Sequence, residues 1–216
     1  FVRREAVLSS RIEGTHASLD DVLRDEIGIA PAGDSDVQEV RNYVTALEYG
    51  VAQVGHGRPI SLDLARELHE RLVLDVRGGD KHPGAFRTIQ NWIGGPGSTP
   101  WTAPFVPPPA DRLVDTLADW ERFVRRESRL LPPLVACALM HHQFETIHPF
   151  RDGNGRVGRL LITLMLIERG RLPLPLLYLS AYIERDKREY VQLLQAVRTD
   201  GAWEAWLAFV LTGISV

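Results

Sequence analysis

Apolar residues recur at helical spacing along most of this 216-residue chain. Val37, Val40, Val44, Leu47 and Val51 follow one another at alternating steps of three and four, which places them on one face of a helix. A β-strand would instead alternate apolar and polar residues every second position. The pattern therefore predicts a mainly helical, all-α fold.

Other segments extend the same prediction. Leu113, Leu117, Trp120 and Val124 form a second apolar stripe. Helix starts are marked by capping residues and prolines: Ser18 with Asp21 three residues on, Ser61, and Pro132-Pro133. The segment from Leu134 to Glu145 is apolar on nearly all sides, so we expect this helix at the centre of the fold.

The helical pattern stops between Gly84 and Pro109, where glycine and proline dominate. Within this segment Phe86 to Ile93 is a short β-prone run that ends at a Gly-Gly turn, and Phe105-Val106 is a candidate return strand. We therefore expect residues 84–109 to form a small β-hairpin flap on the helical domain.

Composition narrows the class of protein. With 44% hydrophobic and 25% charged residues and a net charge of −3, the chain is typical of a globular protein and lacks the basic excess of a nucleic-acid binder. We interpret residues 1–216 as one domain, with no segment apolar enough to span a membrane. Cys137 alone cannot form an internal disulfide, and no signal peptide is evident, so a cytoplasmic location is expected.

The most informative stretch, residues 148–159, reads His-Pro-Phe-Arg-Asp-Gly-Asn-Gly-Arg-Val-Gly-Arg. It is a loop ending in Gly-Asn-Gly, residues 153–155, that opens onto a helix, where free backbone N–H groups and the helix dipole attract an anion. Arg156 and Arg159 lie three apart on that helix, and both guanidinium groups can reach a phosphate chain at its start.

Two further side chains of this loop suggest chemistry on that phosphate chain. Asp152 offers a hard oxygen ligand for Mg²⁺ shared with the phosphates. His148 lies four residues earlier and has the intrinsic basicity needed to accept a hydroxyl proton. Together the residues predict a site for Mg²⁺ and an extended polyphosphate.

Residues 148–159 resemble the signature of the Fic (filamentation induced by cAMP) family, His-x-Phe-x-Asp/Glu-Gly-Asn-Gly-Arg-x-x-Arg, at every constrained position. The resemblance implies a helical core with a β-hairpin flap, and a protein adenylyltransferase that moves AMP from Mg·ATP onto a hydroxyl of a target protein. It implies that Phe150 anchors the loop in the core. The implied catalytic residues are His148 as base, Asp152 as Mg²⁺ ligand, Asn154 and Arg156.

The same resemblance implies a nucleotide site. Its residues are Gly153, Asn154 and Gly155 around the α- and β-phosphates, Arg156 on the phosphate chain, Arg159 on the γ-phosphate, and Tyr182 and Tyr190 in a helical segment, Leu179 to Val197, along the adenine. Relatives carry paired tyrosines where this chain has Tyr190-Val191, so the preferred base is left open.

A second match lies in the N-terminal segment, residues 1–14. Ser9-Ser10-Arg11-Ile12-Glu13-Gly14 resembles the family's inhibitory motif, Ser/Thr-x-x-x-Glu-Gly/Asn. In that motif Glu13 would pair with Arg159 and remove the guanidinium that holds the γ-phosphate, with Ser9 and Gly14 as the other motif residues. The alternative is that Glu13 is a solvated carboxylate at a helix end.

The flap provides a third match, through Gly84-Ala85-Phe86-Arg87 and Gln90-Asn91-Trp92-Ile93-Gly94-Gly95. An exposed hairpin edge can pair with an extended segment of a target protein, so residues 90–93 (Gln90, Asn91, Trp92 and Ile93) are expected to dock it. The alternative is that Trp92 and Ile93 simply pack on the core.

Two other functions stay open. One is a related transferase that moves phosphate or another nucleotide, although the phosphate-transferring branch has lysine where this chain has Gly155. The other is a nucleotide-sensing or protein-binding module without catalysis. The identity of the target and the oligomeric state, including a homodimer, are not decided by the sequence, nor is the presence of the C-terminal winged-helix domain that larger members carry.

Overall fold

The computed structural model describes residues 1–29, 34–76, 82–95 and 97–215. Within these residues the chain forms ten α-helices joined by loops and two short 3-10 turns. Their bounds are α1 Val2–Ile12, α2 Leu19–Glu26, α3 Ser35–Gly55, α4 Leu62–Leu72, α5 Leu113–Arg125, α6 Pro133–Ile147, α7 Asn154–Glu168, α8 Leu179–Arg185, α9 Lys187–Asp200 and α10 Trp203–Ser215. The predicted all-α fold is confirmed.

The capping residues begin the helices where the sequence predicts. Ser18 and Asp21 form a reciprocal capping box at the start of α2, in which the Ser18 hydroxyl accepts from the Asp21 N–H and the Asp21 carboxylate accepts from the Ser18 N–H. The Ser61 hydroxyl accepts from the N–H of Leu64 at the start of α4. Pro133 occupies the first turn of α6, where its missing N–H leaves no hydrogen bond unmade.

Helices α6 and α7 form the centre of the fold, as the apolar character of residues 134–145 predicts. Helix α6 packs against α5, α7 and α10, and α7 packs against α3, α4 and α6. From Arg156 to Leu166 every side of α7 is buried. The loop that joins these two central helices is therefore held in place by the core on both sides.

The flap is less regular than predicted. Its antiparallel pairing is a single bridge between Ile93 and Phe105, with the Ile93 N–H 2.9 Å from the Phe105 carbonyl. The run from Phe86 to Trp92 forms no strand, because Arg87 and its neighbours bind carbonyl groups of other segments instead of a partner strand.

The predicted helical segment from Leu179 to Val197 is interrupted. Asp186, with φ −112° and ψ 32°, separates α8 from α9. Among the described residues, no helix has both the length and the apolar character needed to cross a bilayer.

Candidate active site

The loop between α6 and α7, residues 148–153, begins and ends in left-handed backbone conformations. His148 ends α6 with φ 49° and ψ 60°, and Gly153 precedes α7 with φ 75°. Glycine adopts this conformation freely, whereas an L side chain there costs roughly 1–2 kcal/mol. His148 is therefore held in a strained conformation by the contacts that surround the loop.

Phe150 fixes the middle of the loop in the core, as expected. Its side chain is fully buried and lies parallel to the His69 imidazole, with ring centroids 3.9 Å apart. Phe86 of the flap lies against the other rings of this cluster, 5.2 Å from Phe150 between centroids. The loop, α4 and the start of the flap thus share one aromatic cluster.

Two asparagine side chains bind the loop backbone. The Asn154 amide accepts from the Phe150 N–H at 2.8 Å and donates to the Phe150 carbonyl at 2.9 Å. From the flap, the Asn91 amide donates to the carbonyls of His148 and Phe150 at 3.2 and 3.1 Å. Sequence reasoning placed Asn154 on nucleotide and Asn91 on a target, but both amide groups are used here to shape the loop.

Arg87 holds the same loop from the flap side. Its Nε donates to the His148 carbonyl at 3.0 Å, its guanidinium also donates to the carbonyl of Pro108, and its N–H donates to the Pro149 carbonyl at 2.8 Å. The side chain is 3% exposed, so this cation is satisfied almost entirely by backbone dipoles. Gln90 is likewise turned inward and donates to the Asn91 and Pro107 carbonyls.

His69 supports the other end of the loop. Its Nδ1 accepts from the Gly84 N–H at 2.9 Å, and its Nε2 lies 3.1 Å from the Asp152 carbonyl. Burial lowers the pKa of His69 to about 4, so the ring is neutral and carries its proton on Nε2. Neither His69 nor Arg87 was assigned a role from the sequence, although Arg87 lies in the segment that resembles the family.

The end of α1 binds Arg159 through three hydrogen bonds. The guanidinium donates to the Glu13 carboxylate at 2.7 Å, to the Ser9 hydroxyl at 2.8 Å and to the Ser9 carbonyl at 3.0 Å. Gly14, with φ 94°, turns the chain away directly afterwards. The structure therefore brings together the two motifs that are separated by about 150 residues in the sequence.

The charge balance favours this ion pair. Burial acts to raise the pKa of the Glu13 carboxyl, but the charge of Arg159 and the hydrogen bond from it, with Arg156 and Lys187 nearby, hold that pKa below its ordinary value. Burial likewise acts to lower the pKa of Arg159, and the Glu13 carboxylate raises it. Both groups are charged at neutral pH.

Gly155 lets the Glu13 carboxylate reach the first turn of α7. A Cβ built at position 155 would lie 2.2 Å from Glu13 Oε1 and 2.9 Å from Arg159 Nη1. The carboxylate thus lies where the free N–H groups of the helix start attract an anion. A side chain at 155 would exclude it.

These residues line one cavity of about 490 Å³. Its walls come from the end of α1, the flap, the loop, α7 and α9. Its lining includes Glu13, Ile93, Phe105, Glu145, His148, Gly155, Arg159, Lys187, Tyr190 and Arg198. The predicted base, the helix start and the second arginine therefore share a single enclosed space.

His148 is half-buried in this cavity and uncharged. Burial lowers the pKa of its imidazole to about 4, against the opposing influence of the Glu13 charge. Its Nδ1 lies 4.0 Å from the Glu145 carboxylate and has no hydrogen-bond partner among the described residues. A neutral imidazole has one nitrogen free to accept a proton.

Arg156 does not line the cavity, contrary to the sequence expectation. Its side chain is 1% exposed and lies 3.2 Å from the Glu39 carboxylate of α3, which also accepts from the Thr15 hydroxyl at 2.6 Å. The charge is compensated inside the core, where Arg156 ties α7 to α3.

The remaining predicted residues divide between the cavity and its surroundings. Asp152 is half-buried and is not part of the cavity lining; one of its carboxylate oxygens accepts from the Gly153 N–H at 2.6 Å. Tyr190 lines the cavity and its hydroxyl lies 2.8 Å from His141 Nε2. Tyr182 instead packs on Phe209, with ring centroids 4.7 Å apart, and is not part of the lining.

Two protein-family models match parts of this chain. A model described as the Fic/DOC family matches residues 59–166, and a model of the N-terminal region of that family matches residues 1–52. Together they span the site loop and the N-terminal segment that ends at Glu13 and Gly14.

Named relatives agree with these matches. The protein adenylyltransferase fic-1 of Caenorhabditis briggsae is 31% identical over 118 residues, which is 53% of this chain and 20% of the relative. The protein adenylyltransferase Fic of Nematostella vectensis is 25% identical over 193 residues, 86% of this chain and 41% of the relative. The chain thus spans less than half the length of either protein.

Among solved structures, a Fic family protein from Desulfovibrio desulfuricans superposes with a TM-score of 0.76 at 27% identity, over 98% of this chain and 63% of that one. A Fic domain protein from Bacteroides thetaiotaomicron superposes with a TM-score of 0.78 at 19% identity, over 100% of this chain and 82% of that one.

Proposed function

Because this chain belongs to the Fic/DOC family, we propose that it is a protein adenylyltransferase that moves AMP from ATP onto a hydroxyl group of a target protein. One observation carries the proposal: His148, the first turn of α7 at Gly155, and Arg159 line the same cavity. A base, an anion site and a phosphate-binding cation are the groups that this transfer requires.

The phosphates of ATP are proposed to lie at the start of α7. The free N–H groups of the first turn would bind the α- and β-phosphates, and Arg159 would bind the γ-phosphate once Glu13 has left it. Arg198, whose guanidinium lies 3.5 Å from the centre of the Phe105 ring, and Lys187 add positive charge to the α9 wall. Tyr190 is the residue proposed to line the base.

The proposed chemistry is an in-line displacement at the α-phosphorus. The target oxygen forms a bond to that phosphorus, the bond to the bridging oxygen breaks, and its electron pair leaves with pyrophosphate. The hydroxyl proton passes to the free nitrogen of His148. The backbone N–H groups at the start of α7 stabilise the negative charge that develops.

Mg²⁺ fits the residues present if the nucleotide supplies most of its ligands. No group of three candidate ligand side chains converges among the described residues, and Mg²⁺ is commonly bound by one carboxylate together with phosphates and water. Asp152 has only one of its oxygens engaged by the Gly153 N–H, so its other oxygen would hold the ion. When bound, Mg²⁺ would neutralise phosphate charge.

Glu13 is proposed to inhibit this reaction. Its carboxylate contacts both Arg159 and the Gly155 position, which are the groups proposed to receive ATP phosphates. Two anions cannot share those groups without strong repulsion. The nucleotide would therefore bind weakly, or in an unproductive pose, until α1 withdraws.

The target protein is proposed to dock along the flap. Trp92 and Ile93 are 41% and 39% exposed, and Ile93 also lines the cavity. An extended target segment paired beside Ile93 would bring its hydroxyl toward His148.

Because the single cysteine, Cys137, is buried and unpaired, we also propose a cytoplasmic location.

The proposal is tested with ATP labelled at either the α- or the γ-phosphate. The Glu13→Gly form, incubated with cell lysate, should label protein from the α-phosphate alone, and adding His148→Ala should abolish the label. His16→Ala, at an exposed histidine outside the cavity, is the matched control and should leave the label intact. Label from the γ-phosphate alone would indicate phosphate transfer, and no label from either would favour a binding module.

A further inference from the structure

Glu145 is a buried carboxyl group in the wall of the cavity that the proposed reaction leaves without a role. It lies on α6 three residues before His148, and its side chain is 8% exposed. Its Oε1 has no hydrogen-bond partner among the described residues, and its Oε2 lies 4.0 Å from His148 Nδ1. Glu145 Oε1 and His148 Nδ1 are thus buried polar atoms without a well-formed hydrogen bond among the described residues, although the main-chain carbonyl of Glu145 is a second acceptor near the imidazole.

The chain makes room for this carboxyl group on α7. A Cβ built at Gly158 would lie 2.7 Å from Glu145 Oε1 and 3.0 Å from the His141 ring. Position 158 is unconstrained in the signature, so glycine there is not explained by the phosphate site. It allows Glu145 and His141 to lie directly against the helix.

Resting on the proposed function, we propose that Glu145 is a positioning residue for His148. Its carboxylate would accept the Nδ1 proton of the imidazole and so keep the Nε2 nitrogen unprotonated and directed toward the target hydroxyl. After Nε2 accepts that proton, the same carboxylate would stabilise the imidazolium ion. Such a hydrogen bond requires the 4.0 Å separation between Glu145 Oε2 and His148 Nδ1 to shorten to about 3 Å.

The surrounding charges set when this carboxylate is available. Burial raises the pKa of Glu145 to about 7; Arg159 of α7 and Arg198 of α9 oppose that rise, and Glu13 at the end of α1 adds to it. His141 and His148 on α6 are neutral, since burial lowers their pKa values to about 3 and about 4. The Tyr190 hydroxyl of α9 is also neutral, because burial raises its pKa.

This gives a defined pH dependence. A carboxylate needed in its ionised form becomes available as pH rises through its pKa. The rate should therefore rise between pH 6 and pH 8, by about tenfold for a single group with a pKa of about 7. A neutral amide in place of the carboxyl does not ionise, so the rise in rate between pH 6 and pH 8 would be lost. The amide can also donate a hydrogen bond to Nδ1, which would place the imidazole proton on Nε2 and prevent that nitrogen from accepting a proton.

The test uses Glu145→Gln in the Glu13→Gly background, with transfer measured from α-labelled ATP. We expect kcat to fall by about 10²-fold or more, KM for ATP to stay within about twofold, and the rise between pH 6 and 8 to disappear. Glu145→Asp retains a carboxylate and should keep the rise at a lower rate. Glu204→Gln, at an exposed position in α10, is the matched control and should behave like the Glu13→Gly form.

A second measurement is independent of turnover. The ¹⁵N shifts of the His148 imidazole, assigned by comparison with His148→Ala, should show the proton on Nδ1 in the Glu13→Gly form at pH 8 and on Nε2 in Glu145→Gln. An unchanged tautomer together with an unchanged pH profile overturns the role of Glu145. Absence of α-label in the Glu13→Gly form would overturn the proposed function instead, while the tautomer measurement would still decide the role of Glu145.

Discussion

The Glu13→Gln substitution isolates the negative charge that Glu13 places beside Arg159, at the proposed phosphate site. Glutamine keeps the length and shape of the side chain, so α1 can stay packed, but it no longer offers Arg159 a carboxylate. The Ser9 hydroxyl and carbonyl still accept from Arg159. The substitution therefore removes one charged contact from a group of three.

The size of the effect follows from that contact. A hydrogen bond to a charged group contributes about 1.5–3 kcal/mol, and about 1.4 kcal/mol corresponds to a factor of ten in affinity. Because ATP would have to displace Glu13 from Arg159 under the proposed function, losing the carboxylate should tighten ATP binding by about 10- to 100-fold. Glu13→Gly, which also removes the side chain beside Gly155, should tighten it at least as much.

Calorimetric titration with Mg·ATP measures this change, with His148→Ala present in every protein so that no turnover occurs. Glu26→Gln is the matched control, since Glu26 of α2 forms a surface ion pair with Arg3 of α1, 2.6 Å apart. That exposed pair lies away from the cavity, so its loss should leave ATP affinity unchanged. An affinity of Glu13→Gln within twofold of the parent would refute inhibition by this carboxylate.

The pH dependence of the inhibition has a definite sign. The pKa of Glu13 is held below its ordinary value, so the carboxylate persists as the pH falls from neutral and is lost only when the pH passes below that depressed value. Mild acidification should therefore not strengthen ATP binding to the parent protein. Tighter binding at pH 5.5 than at pH 7.5 would contradict the ion pair.

Three further substitutions test the scaffold of the site. Glu39→Gln leaves the buried Arg156 charge without its carboxylate and should lower the free energy of unfolding by about 3–5 kcal/mol in urea titrations; a loss below about 1 kcal/mol would contradict the pair. Phe150→Ala removes a fully buried ring stacked on His69 and should cost a similar amount, about 3–5 kcal/mol, in the same assay. Asn91→Ala removes the hydrogen bonds to the carbonyls of His148 and Phe150. In the Glu13→Gly background it should lower kcat with little change in KM for ATP, as measured with α-labelled ATP.

Much of the fold could be predicted because helix signals are local. The stripe of α5 is buried at every predicted position, Leu113, Leu117, Trp120 and Val124. The flap could not be predicted in the same way, since its conformation depends on where Arg87 finds acceptors. Those acceptors are carbonyls of Ile147, His148 and Pro108, distant in the sequence and unspecified by any local pattern.

The two arginines of the motif show the same limit within the site. Residues three apart on an α-helix differ by about 60° around its axis, which is enough to point them at different neighbours. Arg159 faces the cavity and the end of α1, whereas Arg156 faces α3 and finds Glu39 there. The spacing alone predicts that both arginines share one face of α7. The position of α3, which the spacing does not specify, explains why Arg156 instead points away from the cavity.

The flap and the loop that carries His148 are bound to each other. This arrangement affects how a target protein would be positioned. Asn91 and Arg87 bind the His148 carbonyl from one side of the flap. On the other side, the Phe105 ring lies under the Arg198 guanidinium of α9. The paired residues of the flap are therefore fixed relative to the imidazole before any target arrives.

The outer part of the flap is not fixed in this way. Trp101 is 94% exposed and contributes nothing to the cavity lining. A target segment would thus meet two surfaces, a rigid edge at Ile93 that sets the distance to His148 and an exposed tip that makes additional contacts. Substitutions at the tip, such as Trp101→Ala, should change which proteins are labelled. They should leave ATP binding and the pH profile unchanged, because Trp101 does not contact the cavity that holds the proposed catalytic groups.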